Sequence, residues 1–175
     1  LKGHQKGFEN IQSLAPYIID KGVKYLSVYA FSTENFKRSD EEVKYLMDIF
    51  VNMFKKECTK IHEENIKIIF SGRKENLRED VLEAMEYITE KTKNNTKGVF
   101  NICLNYGGQQ EIVDATKRIV NDCISGNLDI NQIDENLMYK YMYNDLPPVD
   151  LMIRTSGEER ISNFLNYQIS YAEMY

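Results

Sequence analysis

Phe8, Ile11, Leu14, Ala15, Ile18 and Ile19 recur at helical spacing, and Gly22 stands where a left-handed stop is wanted, so a helix should end near Lys21. The run 25–31 that follows is short, aromatic and β-branched, and apolar on both faces toward its end, as a covered parallel strand would be. Ser39 with Glu42 three residues on forms a capping-box pair. Val43, Leu46, Met47, Phe50, Met53, Phe54, Cys58 and Ile61 then mark one face of a single long helix. Residues 66–70 read as a second strand, closed by Ser71-Gly72, and Val81, Leu82, Met85 and Ile88 stripe another helix. A third strand covers 99–104. The next helix runs from 109 to about 124, carries Ile112, Val113, Ile119 and Val120 on its face, and is ended by Gly126. A shorter helix near 134–143 precedes Pro147-Pro148, and residues 149–153 supply a fourth strand that leads into a polar loop.

Strands alternating with helices predict an α/β fold with a mostly parallel central sheet flanked by helices. At 175 residues, 42% of them hydrophobic and only three of them proline, the chain suits a single domain over 1–175, with no repeat or linker to divide it.

Charge narrows the partners. A formal net charge of -5 offers no general basic surface for a polyphosphate backbone, so nucleic acid is excluded and any phosphate binding must be local. Cys58, Cys103 and Cys123 are odd in number, widely spaced and set in apolar stretches, which reads as buried reduced thiols in a cytoplasmic protein. No apolar run approaches a membrane span and no signal-peptide pattern is present, so the protein is expected to be at most peripheral to a membrane. The dinucleotide G-x-G-x-x-G, the Walker A lysine loop, the G-x-S-x-G elbow and the H-E-x-x-H helix are all missing.

In open parallel sheets ligands gather beyond the carboxyl ends of the strands, and the polar clusters of this sequence fall there, at 32–38, 105–108 and 154–162. Arg154, Arg160 and Ser162 offer two guanidinium forks and a hydroxyl, donors suited to a diphosphate, with Gly157 allowing close backbone approach. The same residues also read as a solvated loop balanced by Glu158 and Glu159. Glu173, among Tyr171, Ala172, Met174 and Tyr175, is a carboxylate in apolar company that suits either a hard cation such as Mg²⁺ or an arginine partner. Asn35 and Arg38 suit a site or a simple turn and cap. From spacing alone His4 is an exposed histidine with no nameable partner.

At these loops the chain resembles the cis-prenyltransferases, or Z-isoprenyl diphosphate synthases. Gly3-His4 with Gly7 resembles the family's G-H-x-x-G, and the stretch from Tyr29 to Phe36 with Arg38 is similar to Y-A-F-S-x-E-N-W-x-R. Asn105 to Gly108 match N-Y-G-G. Asp150 to Glu158, Arg160 to Leu165 and Tyr171-Ala172-Glu173 follow D-L-x-I-R-T-S-G-E-x-R-x-S-N-F-L…Y-A-E. These blocks span the chain in the family's order and spacing.

The resemblance implies a Mg²⁺-dependent homodimeric transferase that joins isopentenyl diphosphate to an allylic diphosphate such as farnesyl diphosphate with a cis double bond. The expected product is a long-chain polyprenyl diphosphate delivered to the membrane, with undecaprenyl diphosphate for a cell-wall lipid carrier as the leading case. By position, Arg154, Arg160 and Ser162 would hold the isopentenyl diphosphate, Glu173 would bind Mg²⁺, and Asn35 and Arg38 would support condensation and proton removal. His4 matches a position near the allylic diphosphate, and Phe36 stands where the family usually has tryptophan, keeping a ring but losing an indole donor. The family's N-terminal M-D-G-N-G-R-W-A segment, with its Mg²⁺-ligating aspartate, and its C-terminal R-x-G tail are expected to lie outside these 175 residues. An apolar product tunnel is also implied, and Met47, Phe50, Phe54, Leu82 and Met85 are candidates to wall it. The alternative is a non-catalytic scaffold subunit of a heteromeric cis-prenyltransferase. It ranks lower because Asn35, Arg38, Arg160, Ser162 and Glu173 are all retained.

Overall fold

The computed structural model describes residues 2–175, and the side chains from residue 6 onward except that of Glu57. The chain divides into two compact units, Leu1–Asn105 and Tyr106–Tyr175.

In the first unit, helix α1 (Lys2–Asp20) leads into strand β1 (Tyr25–Ser32), a 3-10 turn (Thr33–Lys37) and helix α2 (Asp40–Asn52). A π-helical turn (Met53–Glu57) joins α2 to α3 (Cys58–Glu63), followed by β2 (Ile66–Ser71), α4 (Glu79–Thr92) and β3 (Gly98–Tyr106). The sheet order is β1-β3-β2, and β2 runs parallel to β3 from Ile66 opposite Gly98 to Ser71 opposite Cys103. The helix-strand alternation therefore produces the parallel α/β layer that periodicity predicts. β3 lies at the centre and is the most completely buried strand, while β1 is only half-buried along most of its length.

Side-chain alternation gives the sheet two unlike faces. Ile68, Phe100 and Ile102 enter the core with Val28 and Ala30 packed against it, under Ile19, Leu46, Phe50, Phe54 and Ile61. Phe50 joins this core through edge-on contacts with Phe8, at 5.4 Å between ring centroids, and with Phe31 at 5.9 Å. The other face carries a polar row. Ser71 Oγ donates to Asn101 Oδ1 at 2.9 Å, and Asn101 Nδ2 donates to Ser27 Oγ at 3.1 Å, so one buried asparagine links all three strands.

Two expectations change here. Ser39 does accept a hydrogen bond from Glu42 N, at 3.3 Å, but the Glu42 carboxylate pairs with Arg38. The predicted single helix after Ser39 is interrupted by the π turn, which admits one residue beyond the α-helical repeat while Met53, Phe54 and Cys58 remain buried.

The second unit contains α5 (Gly108–Ile124), a 3-10 turn (Ile130–Gln132), α6 (Glu135–Tyr141), β4 (Leu151–Met152) and β5 (Glu173–Met174). The predicted fourth strand shrinks to β4. It pairs with β5 in a separate two-stranded parallel sheet and does not extend the three-stranded one. On α5 the buried positions are Gly108, Glu111, Ala115 and Ile119, an i, i+4, i+8 row from 111, whereas Val113 and Val120 are exposed. Of the expected face, Ile119 is buried and Ile112 partly so, and the buried row is rotated from it toward Glu111 and Ala115.

Glu111 anchors this unit. Its carboxylate accepts from Tyr106 Oη, from Gln168 Nε2 at 2.9 Å and from Tyr143 N at 2.9 Å. Glu111→Ala would leave three donors without their acceptor, and is expected to destabilise the protein by about 3 kcal/mol or more. Glu111→Gln, which keeps one acceptor oxygen, should cost less. Urea unfolding of both variants checks the order.

None of the three cysteines is in a disulfide: Cys58 and Cys103 are buried as expected, whereas Cys123 is partly exposed. Among the described residues no helix is long and apolar enough to cross a membrane.

Candidate active site

β4 delivers Arg154 into a loop that turns back at Ser156 (φ 72°) and Gly157 (φ 68°). Pairing with β5 fixes where the loop departs, since Arg154 N donates to Tyr175 O at 2.8 Å and Tyr175 N to Met152 O at 2.9 Å. The Arg154 guanidinium then reaches across the loop, with Nη1 donating to Ser162 Oγ at 2.7 Å and to the carbonyl of Arg160. Arg154 and Ser162 are therefore brought together, with the backbone of Arg160 beside them. The Arg160 guanidinium is exposed and pairs with Glu158. That pair lies at the surface, where an ion pair contributes at most about 1 kcal/mol, so an incoming diphosphate can displace the carboxylate at small cost.

The end of this loop seats on α5. Asn163 (φ 62°) accepts from Gly108 N through its backbone oxygen at 2.7 Å and from Gln109 N through Oδ1 at 2.8 Å. Its Nδ2 donates to Gln110 Oε1 at 3.0 Å. Glu173 is exposed on β5, in register with Leu151, and its N–H donates to Asp150 O at 2.9 Å. Among the described residues no three His, Cys, Asp or Glu side chains gather as a metal cluster. An exposed carboxylate with hard oxygen donors suits a Mg²⁺ ion that takes its remaining ligands from substrate phosphates and water.

In the first unit Asn35 lies in the 3-10 turn after β1 and Arg38 caps its end. Asn35 Oδ1 accepts from Ser32 N at 2.8 Å, Arg38 N donates to Asn35 O at 3.1 Å, and the exposed Arg38 guanidinium pairs with Glu42. Phe36 does not line this polar turn. Its ring packs edge-on against Phe31 at 5.0 Å and belongs to the margin of the core. Tyr29, on the polar face of β1, has its phenol pushed up to about 12 by burial and by the nearby charge of Glu34, so it stays a neutral hydroxyl at working pH. The His4 side chain lies outside the described residues.

Sequence reasoning missed Asn163 and Glu111. The signal for Glu111 was its place in the row with Ala115 and Ile119. Asn163 carried one in its place within the R-x-S-N-F-L block, which marked it as part of the family pattern without giving it a role.

A cavity of about 310 Å³ opens in the first unit between α1 and the apolar face of the sheet, lined by Phe8, Ile11, Val28, Met53, Phe100 and Ile102 among others. Met47, Phe50, Phe54, Leu82 and Met85 do not line it. Met47, Phe50 and Phe54 lie in the packed core instead.

Solved structures define the class. Lavandulyl diphosphate synthase from Lavandula x intermedia, in complex with dimethylallyl diphosphate, matches with a TM-score of 0.95 over 99% of this chain and 76% of its own, at 30% identity. A probable undecaprenyl diphosphate synthase from Campylobacter jejuni matches with a TM-score of 0.84 over 97% of this chain and 79% of its own, also at 30% identity. The class is that of prenyl diphosphate synthases, which are transferases.

Among sequence relatives, an isoprenyl transferase of Fusobacterium nucleatum is 46% identical over 99% of this chain and 73% of its own length. A tritrans,polycis-undecaprenyl-diphosphate synthase (geranylgeranyl-diphosphate specific) of Pyrococcus horikoshii is 44% identical over 99% of this chain and 67% of its own. The family described as "Putative undecaprenyl diphosphate synthase" matches residues 1–175, and the chain belongs to it.

Proposed function

We propose that this prenyltransferase condenses isopentenyl diphosphate with an allylic diphosphate to build a long cis-polyprenyl diphosphate, and that Arg154, Arg160 and Ser162 hold the diphosphate of the isopentenyl partner. The observation that carries this reading is the Arg154–Ser162 contact, which pre-assembles a guanidinium and a hydroxyl on one loop with a second guanidinium close by in sequence. A diphosphate takes several charge-assisted donors, and donors fixed in advance cost little ordering on binding. Asn35 and Arg38 would serve the condensation, the first as a polar group held by its turn and the second as a cation released from Glu42. His4 is assigned to the allylic diphosphate by family position.

Glu173 would hold Mg²⁺ together with substrate phosphates. Bound there, the ion would offset negative charge on the departing diphosphate. A homodimer and delivery of the product to a membrane are part of the same reading, and follow from the family resemblance.

The test is incubation of the full-length protein with labelled isopentenyl diphosphate and either farnesyl or geranylgeranyl diphosphate, followed by sizing of the products. The choice of primers reflects the relatives' names, which specify geranylgeranyl diphosphate in Pyrococcus horikoshii and (2Z,6E)-farnesyl diphosphate in Thermobifida fusca. Elongated products that vanish on chelation and return with Mg²⁺ are expected. A folded protein that elongates neither primer would refute the assignment.

The apolar cavity beside α1 is the proposed seat of the growing chain. Met53→Trp would fill part of it, and should shorten the product in an enzyme that still folds. A folded, active variant with unchanged product length would separate the cavity from the product path.

A further inference from the structure

α5 begins without a cap of its own. Its N-cap residue is Gly107, which has no side chain, yet the first amides of a helix need acceptors from elsewhere. Asn163 supplies two of them from a distant part of the chain, taking Gly108 N with its carbonyl and Gln109 N with Oδ1. The two glycines make room for this approach. A Cβ on Gly107 would lie 2.2 Å from Gln110 Oε1 and 2.7 Å from Asn163 Nδ2, and one on Gly108 would lie 2.5 Å from Asn166 Oδ1.

Ser162 precedes Asn163 directly, and both hold left-handed backbone, at φ 48° and 62°. Two consecutive non-glycine residues in that region persist only where their surroundings hold them. The anchor is the hydrogen-bonded clasp at Asn163, closed on its other side by Phe164 N donating to Ile161 O at 3.1 Å and by the Phe164 ring against Tyr106 at 6.1 Å. The direction in which Ser162 presents Oγ to Arg154 is therefore set one residue away, by what Asn163 grips.

We infer that Asn163 is a positioning residue for the isopentenyl diphosphate subsite: by capping α5 in place of the side chain that Gly107 lacks, it fixes the backbone that aims Ser162 and the Arg154 guanidinium. The inference rests on the proposal that Ser162 and Arg154 hold that diphosphate. It also gives the Gly107-Gly108 pair a role, as the bare surface against which the loop is clasped.

The experiment compares steady-state KM and kcat for both substrates in the full-length enzyme and its Asn163→Gly, Asn163→Asp, Gln110→Ala and Ser162→Ala variants. Glycine keeps the left-handed backbone accessible and removes the side-chain acceptor. Aspartate keeps the acceptor, and Gln110 can turn its amide to donate to it. Asn163→Gly is expected to raise KM for isopentenyl diphosphate roughly tenfold while KM for the allylic substrate stays within about twofold, the size of effect that losing a helix cap implies. Asn163→Asp should restore most of the loss.

An unchanged isopentenyl KM in Asn163→Gly overturns the inference. So does an equal rise in both KM values that Asn163→Asp fails to rescue, because that pattern marks a general loss of structure. If Asn163→Gly does not fold, Gln110→Ala decides: a selective rise in the isopentenyl KM supports the clasp, and no change overturns it. Ser162→Ala separates the two layers. If it leaves the isopentenyl KM unaltered, the diphosphate subsite itself is misplaced. If it raises that KM and Asn163→Gly does not, only the positioning role fails.

Discussion

Arg154→Ala is expected to lower kcat/KM for isopentenyl diphosphate by about a thousandfold, roughly 4 kcal/mol, the scale of losing several charge-assisted hydrogen bonds. The size follows from a double role. The guanidinium offers donors to the diphosphate, and it also tethers the loop through Ser162 Oγ and the carbonyl of Arg160 before any substrate arrives. Arg154→Lys should recover only part of the activity, because Nη1 alone serves Ser162 Oγ and the Arg160 carbonyl and the rest of the planar fork keeps further N–H donors for the diphosphate, which a single ammonium cannot do at once. Arg160→Lys should weaken the same substrate less, since the exposed Arg160 side chain pairs with Glu158 at the surface, a contact that does not tether the loop to Ser162. Steady-state kinetics with each substrate varied in turn will show whether the loss is confined to isopentenyl diphosphate. A variant in which both substrates suffer equally would move Arg154 out of that subsite.

Gly72→Ala is expected to be among the most damaging single substitutions for the fold, costing about 4 kcal/mol or more, in the range reserved for forced backbone displacement. Gly72 follows β2 at φ +140°, a conformation L side chains rarely adopt, and a Cβ built there falls 1.8 Å from the carbonyl oxygen of Leu104 in the central strand. Neither partner is a flexible side chain, so the strand itself would have to move. The adjoining turn leaves little slack: Arg73 N donates to Asn105 O at 3.1 Å, and Asn105 Nδ2 returns bonds to Arg73 O at 3.0 Å and Glu75 O at 2.8 Å. Loss of the cooperative thermal transition, or a large drop in its midpoint, checks this. An unfolding midpoint close to that of the parent protein would contradict it.

Much of the fold was legible because helical periodicity and burial coincide in the first unit. Val81, Met85 and Ile88 form the buried stripe of α4 as their spacing predicts, and the Ser39 cap and the Gly22 stop fall where expected. The π turn was hidden, since an apolar stripe through Met53, Phe54 and Cys58 reads alike whether the repeat inside it is four or five residues. β4 and β5 have two residues each, too few for any alternation to register. The face of α5 was only half legible: Ile119 is buried as expected, but this helix exposes Val113 and Val120 and buries a glutamate that its tertiary partners satisfy, so hydrophobicity alone did not mark burial. For the site, composition placed the arginines and Ser162 on one loop, and family resemblance gave them a substrate. The role of Asn163 depends on a helix far away in sequence, and such a pairing leaves no local pattern.

The asparagine at the middle of the sheet has a consequence for how the strands find one another. Asn101 meets Ser71 on one neighbour and Ser27 on the other, and it is almost fully buried. Sliding β1 or β2 by one residue would turn its serine to the opposite face and cost the amide one of its two serine partners in a dry interior. Apolar neighbours such as Val28 or Phe70 would tolerate a shifted alignment far better, because one greasy contact substitutes readily for another. The polar rung thus acts as a key that fits a single alignment of all three strands, and it penalises misaligned sheets during folding more than it strengthens the aligned one.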